Sequence, residues 1–343
     1  MALAWKPHVP MRTTIGFMPS TEIREPPRPS HSRFAAYAWA VLAYNFAVVL
    51  WGDYVRATGS GAGCGNRWPL CNGEVTPHSP TVATIIEFTH RASSALDLAL
   101  VALLAVWAFR EFPRRHPARL AAALSAVFLA TEALIGAALV LLQHVAGNAS
   151  ANRAYSLSTH LVNTLTLLAC LTLTAWWAAG REAGRPRGRE AKLAAASLAA
   201  FIVLGVTGAV AALGDTLFPV RSLSQGFAQD LNPAANVFLR LRMWHPAFAA
   251  LAGLWLGIYG VSCVGRRRDA QLAAGAMMAL VGVQMAAGMV NLLLLAPLWM
   301  QMVHLLLGDL LWISLVLLCA KMLSPAPKTR NLPYPQTQSR TIR

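Results

Sequence analysis

The chain has 343 residues, of which 56% are hydrophobic and only 13% are charged, and its mean hydropathy is +0.48. Soluble globular proteins carry about 25% charged residues, so the composition argues against a soluble protein and favours a membrane protein. The formal net charge of +15 would suit a nucleic-acid partner, but the placement of the basic residues along the chain disfavours one.

Eight apolar stretches are long enough to cross a hydrocarbon core of about 30 Å, which takes about 20 helical residues. They do not alternate in polarity and are longer than barrel strands, so we expect helices, which satisfy their own backbone groups in lipid. The predicted fold class is an all-α membrane protein with eight transmembrane helices. They cover residues 34–56, 82–109, 118–143, 155–180, 191–213, 240–264, 270–296 and 299–322.

Most of the basic residues fall on one predicted side of the membrane. Twenty-two of the 29 lysines and arginines lie before helix 1, at or after the end of helix 8, or in the loops that follow helices 2, 4 and 6 and the helix ends beside those loops. The positive-inside rule makes that side cytoplasmic, with both termini inside. The charge therefore predicts topology and contact with lipid, with no nucleic-acid partner. Residues 1–33 and 323–343 are predicted to be disordered cytoplasmic tails, and we expect no cleaved signal peptide in residues 1–33.

The eight helices divide into two sets of four with matching motifs. The shared order of these motifs predicts a parallel repeat, with two four-helix bundles related by an axis along the membrane normal. The bundles cover residues 34–180 and 191–322, joined by a cytoplasmic linker at 181–190. The matches are Val55-x-Ala57-x-Gly59 with Val210-x-Ala212-x-Gly214, His90-x-Ala92 with His245-x-Ala247, Glu132-x-x-x-Gly136 with Gln284-x-x-x-Gly288, and His160-Leu161 with His304-Leu305.

One histidine lies in each even-numbered helix: His90, His160, His245 and His304. Each is five to nine residues from the outer end of its helix, or about 8–13 Å at about 1.5 Å per residue. An ionisable group inside the membrane is costly without a partner. Each could be a structural histidine bonded to a neighbouring helix, but two facing imidazoles in a four-helix bundle suit a haem iron. Zinc is less favoured, because three of the five cysteines are scattered singly and fit as small apolar side chains.

Two further groups lie at the outer face. Arg56, Arg91, Arg240 and Arg242 lie near the outer boundary, where guanidinium groups could pair with haem propionates or with lipid headgroups. Cys64 and Cys71 are separated by six residues in a glycine-rich loop, so a disulfide is permitted in an oxidising compartment. That pair could be a structural crosslink or an exchangeable thiol pair.

The run TGSGAGCGNRWPLCNG at 58–73, the motif EFTHR at 87–91, and the later histidines together resemble the haem A synthase family over residues 34–322. The resemblance implies oxidation of the C8 methyl group of haem O to a formyl group by successive hydroxylations, for terminal oxidases. It implies that His90 and His160 bind the substrate haem O in the N-terminal bundle. It also implies a haem b cofactor on His245 and His304 in the C-terminal bundle.

Glu87 matches the acidic residue that the family has beside the substrate histidine, and Cys64 and Cys71 match its outer-loop pair. Glu87 would move protons or stabilise positive charge at the oxidised carbon; the alternative is a purely structural ion pair with Arg91. Two features depart from the family: residues 214–239 contain no second cysteine pair, and Pro246 follows His245. That proline would either kink the helix or mark its first turn.

Two other functions remain open at this stage. A dihaem electron carrier explains the four histidines, but it does not explain why Arg242 stands in the second half where Glu87 stands in the first. A membrane thiol oxidase using Cys64 and Cys71 with a quinone leaves the histidines without a role. The expected location is a bacterial inner membrane, with haem O synthase as a partner through the pathway. The sequence does not indicate an oligomeric state.

Overall fold

The computed structural model describes residues 29–184 and 187–326 of the chain. Within these residues the secondary structure is helical and contains no strand. Eight helical stretches are long and apolar enough to cross a membrane, which confirms the predicted all-α membrane fold with eight spans. The predicted disorder of the two tails falls mostly on residues outside the described ranges, although residues 29–33 are already helical.

Ten α-helices form the described part of the chain, and two 3₁₀ turns lie at Ser60–Ala62 and Arg268–Ala270. Most observed helix ends lie within a few residues of the predicted ends. The short α6 was not predicted. The helices are α1 Pro29–Ala57, α2 Val82–Glu111, α3 Pro117–Leu141, α4 Ala151–Ala178, α5 Gly188–Leu217, α6 Leu223–Asp230, α7 Val237–Arg242, α8 His245–Arg266, α9 Gln271–Leu293 and α10 Leu298–Leu323.

The sixth membrane span is interrupted, whereas the sequence predicted one continuous helix over 240–264. α7 ends at Arg242 and α8 begins at His245, with Pro246 in its first turn. Proline lacks a backbone N–H and is tolerated in a first turn, where the N–H has no intrahelical acceptor. Pro246 therefore marks the first turn of a helix, which is one of the two predicted alternatives.

Side-chain caps define the starts of two histidine-bearing helices. The Thr81 hydroxyl accepts a hydrogen bond from the backbone N–H of Thr84 at the start of α2. The Ser150 hydroxyl accepts one from the N–H of Arg153 at the start of α4. Such caps satisfy N–H groups that have no partner within the helix, so the polar residues before each apolar run set where the helix begins.

The transmembrane helices pack as two rings of four. In the first ring α1 contacts α2, α2 contacts α3, α3 contacts α4, and α4 contacts α1. In the second, α5 contacts α8, α8 contacts α9, α9 contacts α10, and α10 contacts α5. A duplicated four-helix bundle would produce this equivalence of contacts, but the parallel repeat itself stays a prediction.

The two rings meet along a seam where α1 and α4 face α5 and α10. The indole N–H of Trp312 on α10 donates to the carbonyl oxygen of Leu165 on α4 across this seam, at 2.7 Å. Both residues are buried. An interhelical hydrogen bond of this kind fixes the rotation of one helix against the other where lipid provides no competing partner.

The outward faces of the helices are apolar. On α8, Leu251, Leu254, Ile258 and Val261 recur at helical spacing, and all four are more than half exposed. In water such a stripe would be unfavourable, whereas in a bilayer it contacts acyl chains. The exposed apolar surface is therefore what a multi-pass membrane protein requires.

Candidate functional site

The structure places each predicted histidine against a glycine of the neighbouring helix. His90 on α2 lies against Gly52 on α1, and the same relation holds for the other three pairs. A side-chain carbon at Gly52, Gly208 or Gly288 would lie 2.9–3.1 Å from the facing imidazole Cε1 atom, which is closer than van der Waals contact allows. The pairs are Gly52 with His90, Gly136 with His160, Gly208 with His245, and Gly288 with His304.

The four histidines form two pairs, one in each ring of helices. His90 on α2 and His160 on α4 lie in the first ring, and His245 on α8 and His304 on α10 lie in the second. All four side chains are partly buried. In the described ranges, no cluster of three or more His, Cys, Asp or Glu side chains is arranged to hold a metal ion. Each ring thus contains two of the four imidazoles, the number that can hold one haem iron.

In the first ring, a carboxylate fixes one of the two histidines. Glu132 on α3 places its Oε1 atom 2.7 Å from Nδ1 of His160. A carboxylate only accepts hydrogen bonds, so Nδ1 of His160 carries a proton, and a neutral imidazole then keeps the lone pair on Nε2. By contrast, Nδ1 of His90 is buried and has no hydrogen-bond partner among the described residues.

In the second ring, neutral groups surround the histidines. The Thr207 hydroxyl lies 3.0 Å from Nδ1 of His245 and donates to the carbonyl oxygen of Leu204. With its own proton on Leu204, the Thr207 hydroxyl accepts a hydrogen bond from Nδ1–H, which leaves Nε2 of a neutral His245 free. The amide nitrogen of Gln284 lies 3.4 Å from Nε2 of His304 and 3.0 Å from its carbonyl oxygen. Nδ1 of His304 is buried without a partner in the described part of the chain.

Glu87 lies one helical turn before His90 and is buried, with 3% of its surface exposed. Its Oε1 atom lies 2.6 Å from Nη2 of Arg91, so the structure contains the ion pair considered as the structural alternative. Its Oε2 atom accepts a hydrogen bond from the backbone N–H of Cys64 at 2.8 Å. A buried carboxylate needs such partners. Glu87 therefore connects the histidine-bearing helix to the loop over residues 58–81, which we call the disulfide loop.

Cys64 and Cys71 form a disulfide in this loop, which confirms the expected bond. Gly63 beside it lies so close to α2 that an added side-chain carbon would come within 2.4 Å of the Ala83 backbone. The carbonyl oxygen of Gly63 also accepts a hydrogen bond from the Thr84 hydroxyl at 2.9 Å. Only glycine permits this approach, which holds the disulfide over the start of α2 and beside Glu87.

The disulfide loop contains a carboxyl group whose pKa is shifted. The backbone N–H of His78 donates to Glu74 at 2.9 Å, and this hydrogen bond to the charged form is the main cause that lowers the pKa of Glu74. Glu74 is exposed and lies in the loop, apart from the histidine pairs. It is therefore a suitable control position for Glu87.

Three of the four candidate arginines already have protein partners. Besides its pair with Glu87, Arg91 donates to the carbonyl oxygens of Arg67 and Leu70 at 2.8 and 2.9 Å. Arg242 forms ion pairs with Asp215 at 2.9 Å and Asp230 at 2.6 Å.

Arg56 crosses the seam between the rings. It pairs with Asp53 on its own helix and donates to Thr216 at 2.9 Å and Gln301 at 3.3 Å. Arg240 is exposed. Any propionate contact of Arg56, Arg91 or Arg242 would therefore be shared with an existing acidic or polar partner.

Two shielded charged residues, one beside a histidine and one near the start of a histidine-bearing helix, were not among the predicted site residues. Glu132 appeared only as part of a repeat motif, although a carboxylate inside a predicted span is itself a functional signal. Arg153, near the start of α4, is 2% exposed and donates to the carbonyl oxygen of Asn148 at 3.0 Å. Its position at a predicted helix boundary gave no sign that it would be buried.

The sequence over residues 35–316 matches the COX15-CtaA family, which is described as cytochrome oxidase assembly protein. The matched range contains the four histidines, Glu87 and the disulfide. The chain belongs to this family. Membership of COX15-CtaA, together with eight apolar spans, makes it a multi-pass membrane protein of a haem-associated family.

Individual relatives add detail to the COX15-CtaA match. A protein of Thermus thermophilus named "Protoheme IX farnesyltransferase" is 51% identical over 234 residues, which is 68% of this chain and 38% of that protein. A "Heme A synthase" of Alkalihalophilus pseudofirmus is 37% identical over 110 residues, covering 32% of this chain and 37% of the relative. A "Heme A synthase" of Halalkalibacterium halodurans is 43% identical over 93 residues, covering 27% of this chain and 31% of the relative. The chain thus spans well under two thirds of the length of these relatives.

Proposed function

We propose that the chain is a haem A synthase, an oxidoreductase that converts the C8 methyl group of haem O to a formyl group by successive hydroxylations. The observation that carries the proposal is an asymmetry between two otherwise similar histidine pairs. Glu87 lies three residues before His90, whereas Arg242 lies three residues before His245. Membership of the COX15-CtaA family and relatives named "Heme A synthase" support the same reaction.

The first ring would bind haem O as the substrate, through His90 and His160. The second ring would hold haem b through His245 and His304, and haem b would supply one-electron transfer when bound. One histidine of each ring fits a haem iron, since a neutral His160 or His245 that uses Nδ1 for a protein hydrogen bond keeps Nε2 free. The glycines opposite the imidazoles make room for the imidazole rings themselves.

Glu87 would act on the substrate in the first ring. Residues three apart share a helix face, so the Glu87 carboxylate lies on the same side of α2 as His90. A carboxylate there accepts a proton from the reacting group or stabilises positive charge that develops at the oxidised carbon. Its ion pair with Arg91 does not oppose this role, because the pair also holds the carboxylate in place.

Cys64 and Cys71 would serve either as a structural crosslink or as an exchangeable thiol pair beside the substrate site. The hydrogen bond from the Cys64 N–H to Glu87 supports a connection between the disulfide and the reacting residues. Arg56, Arg91, Arg240 and Arg242 are the candidate propionate contacts, and they would add to the protein contacts described above.

The natural supplier of the substrate would be haem O synthase. A relative that contains a 51% identical segment is named for farnesyl transfer to protohaem IX, and such a transfer would provide a farnesylated haem. We place the protein in a bacterial inner membrane with both termini in the cytoplasm. The basic loops after α2, α4 and α8 support that orientation.

The proposal is tested by expressing the full chain with a haem O source, extracting the haems in acid acetone and separating them by reversed-phase chromatography with mass detection. We expect haem A or its hydroxylated precursor together with haem b. A His160→Ala variant should lose the haem A product and keep haem b. Haem b alone in the unaltered chain, with haem O demonstrably present, would refute the synthase and favour the dihaem electron carrier.

A further inference from the structure

Glu132 makes more polar contacts than an ion pair with His160 alone would need. It contacts Nδ1 of His160 through Oε1, and the Thr164 hydroxyl also lies against Oε1. The Asn163 amide donates to Oε2 at 2.5 Å. Asn163 is fixed in turn, since it donates to the carbonyl oxygen of Phe128 at 2.8 Å and accepts from the Thr131 hydroxyl at 2.7 Å.

This network fixes the carboxylate on the imidazole. Glu132 and Phe128 lie on α3, while Asn163 and Thr164 lie on α4 with His160, so the bonds connect the two helices on both sides of the carboxylate. Charge-assisted hydrogen bonds are stronger than those between neutral groups. The side chain of Glu132 therefore has little freedom to leave His160.

The other three histidines have no such carboxylate. Gln284, which aligns with Glu132 in the repeat, is neutral and contacts His304 through its amide nitrogen. His245 has the Thr207 hydroxyl, and Nδ1 of His90 has no partner within the described ranges. Of the four histidines in the membrane spans, only His160 is paired through Nδ1 with a carboxylate among the described residues.

We propose that Glu132 is a positioning residue that makes His160 the more tightly held and more basic iron ligand of the first ring. His90 is then the ligand that dissociates more readily from the iron. This inference rests on the proposed binding of haem by the two histidines. A carboxylate on the distal nitrogen of a metal-bound imidazole fixes its orientation and raises its basicity. A ring whose haem is the substrate would have to release it, and release at His90 would open the side of α2 that carries Glu87.

The potential of the bound haem distinguishes this role from a structural one. A more basic axial ligand favours the oxidised iron, so loss of the negative charge should raise the reduction potential. In Glu132→Gln the amide still reaches His160 but the charge is gone. We expect the potential of the first-ring haem to rise by an amount equivalent to about a tenfold change in the ratio of oxidised to reduced iron, or about 59 mV for one electron.

Thr164→Val provides a second variant with the opposite expected sign. Valine is nearly isosteric with threonine, and the change removes the hydroxyl that contacts Oε1 of Glu132 alongside His160. More of the carboxylate charge then acts on His160, and the same potential should fall. Thr207→Val is the matched control in the second ring, and it should leave the first-ring potential unchanged.

The measurement is an optical redox titration of the purified full-length protein with its haems bound. The first-ring component is the one absent from His160→Ala, and we expect His90→Ala to retain it. Unchanged first-ring potentials in both Glu132→Gln and Thr164→Val, or loss of haem from His90→Ala with retention in His160→Ala, would overturn the proposal. Haem extraction from the same unaltered protein separates the two questions: a first-ring component without any haem A refutes the synthase, while the titration still tests Glu132.

Discussion

Single residues in this protein make structural contacts at the positions for which we propose chemical roles. Glu87 binds Arg91 and the N–H of Cys64, so it holds the disulfide loop against α2. It is also the carboxylate nearest in sequence to His90. The ion pair considered as an alternative to catalysis is present, and it positions the carboxylate that the proposed chemistry needs.

Replacing Glu87 by glutamine tests whether its carboxylate has a chemical role in addition to its structural contacts. Glutamine can keep the hydrogen bond from Cys64 but loses the charge, so we expect haem A formation to fall by about 100-fold, in the range typical for a general acid or base. Bound haem should remain close to the level of the unaltered protein. The measurement is the extracted haem A per bound haem b.

Glu74→Gln is the control, because it removes an exposed carboxylate from the same loop and should leave the yield unchanged. Full haem A formation by Glu87→Gln would show that Glu87 is structural only.

Pairs of neighbouring helices form the unit that positions each histidine. A glycine on one helix makes room for the imidazole on the next, in α1 with α2, α3 with α4, α5 with α8, and α9 with α10. Small residues allow close approach of membrane helices. Because each imidazole fits between two helices, its position depends on the rotation of both helices about their axes.

Gly288→Ala on α9 tests this arrangement. The added carbon would lie 3.1 Å from Cε1 of His304, so the ring must tilt away. Changes to groups that orient a metal ligand cost about 10- to 100-fold in metal affinity. We expect at least the lower value for haem in the second ring, measured by the absorbance that remains after dilution and gel filtration.

Gly282→Ala on the same helix is the matched control, because no neighbouring atom lies within 4 Å of the added carbon. Equal haem retention in the two variants would contradict a positioning role for Gly288.

The whole molecule is two rings of helices joined along one seam. At the seam the Trp312 indole donates a hydrogen bond to the carbonyl oxygen of Leu165. Arg56 on α1 donates hydrogen bonds to Thr216 on α5 and Gln301 on α10. The N-terminal ends of the histidine-bearing helices α2, α4, α8 and α10 lie at the same end of the molecule as the disulfide loop. At that end Gly61 of the loop lies next to Val145, and Asn236 bonds the carbonyl oxygen of Ala149.

The orientation of this assembly in the membrane is tested with single cysteines at opposite ends. Gly147 and Arg115 are both exposed, the first at the disulfide end and the second between α2 and α3. We expect Gly147→Cys to react in intact cells with a membrane-impermeant maleimide, and Arg115→Cys to react only after the cells are opened.

The parental chain provides the background for this labelling. Its thiols at Cys170, Cys263 and Cys319 are buried, and Cys64 and Cys71 are bonded to each other. The reverse labelling pattern would overturn the cytoplasmic placement of the termini.

Hydropathy and residue spacing were sufficient to predict the eight spans, the histidine in each even span and the disulfide pair. A bilayer imposes a minimum length on each span and a high cost on each buried polar group, so these features are visible along the chain. The glycine-rich loop likewise showed that Cys64 and Cys71 could meet.

The partners of these residues were decided only by the tertiary structure. Glu132 bonds His160 from a different helix, Arg91 ties Glu87 to the disulfide loop, and the sixth span is interrupted between Arg242 and His245. The burial of Arg153 was likewise decided by the tertiary structure. Contacts between helices depend on their relative rotation and depth, which are set by side-chain packing and interhelical hydrogen bonds. Hydropathy determines that a segment crosses the membrane, but it does not specify which neighbour each side chain meets.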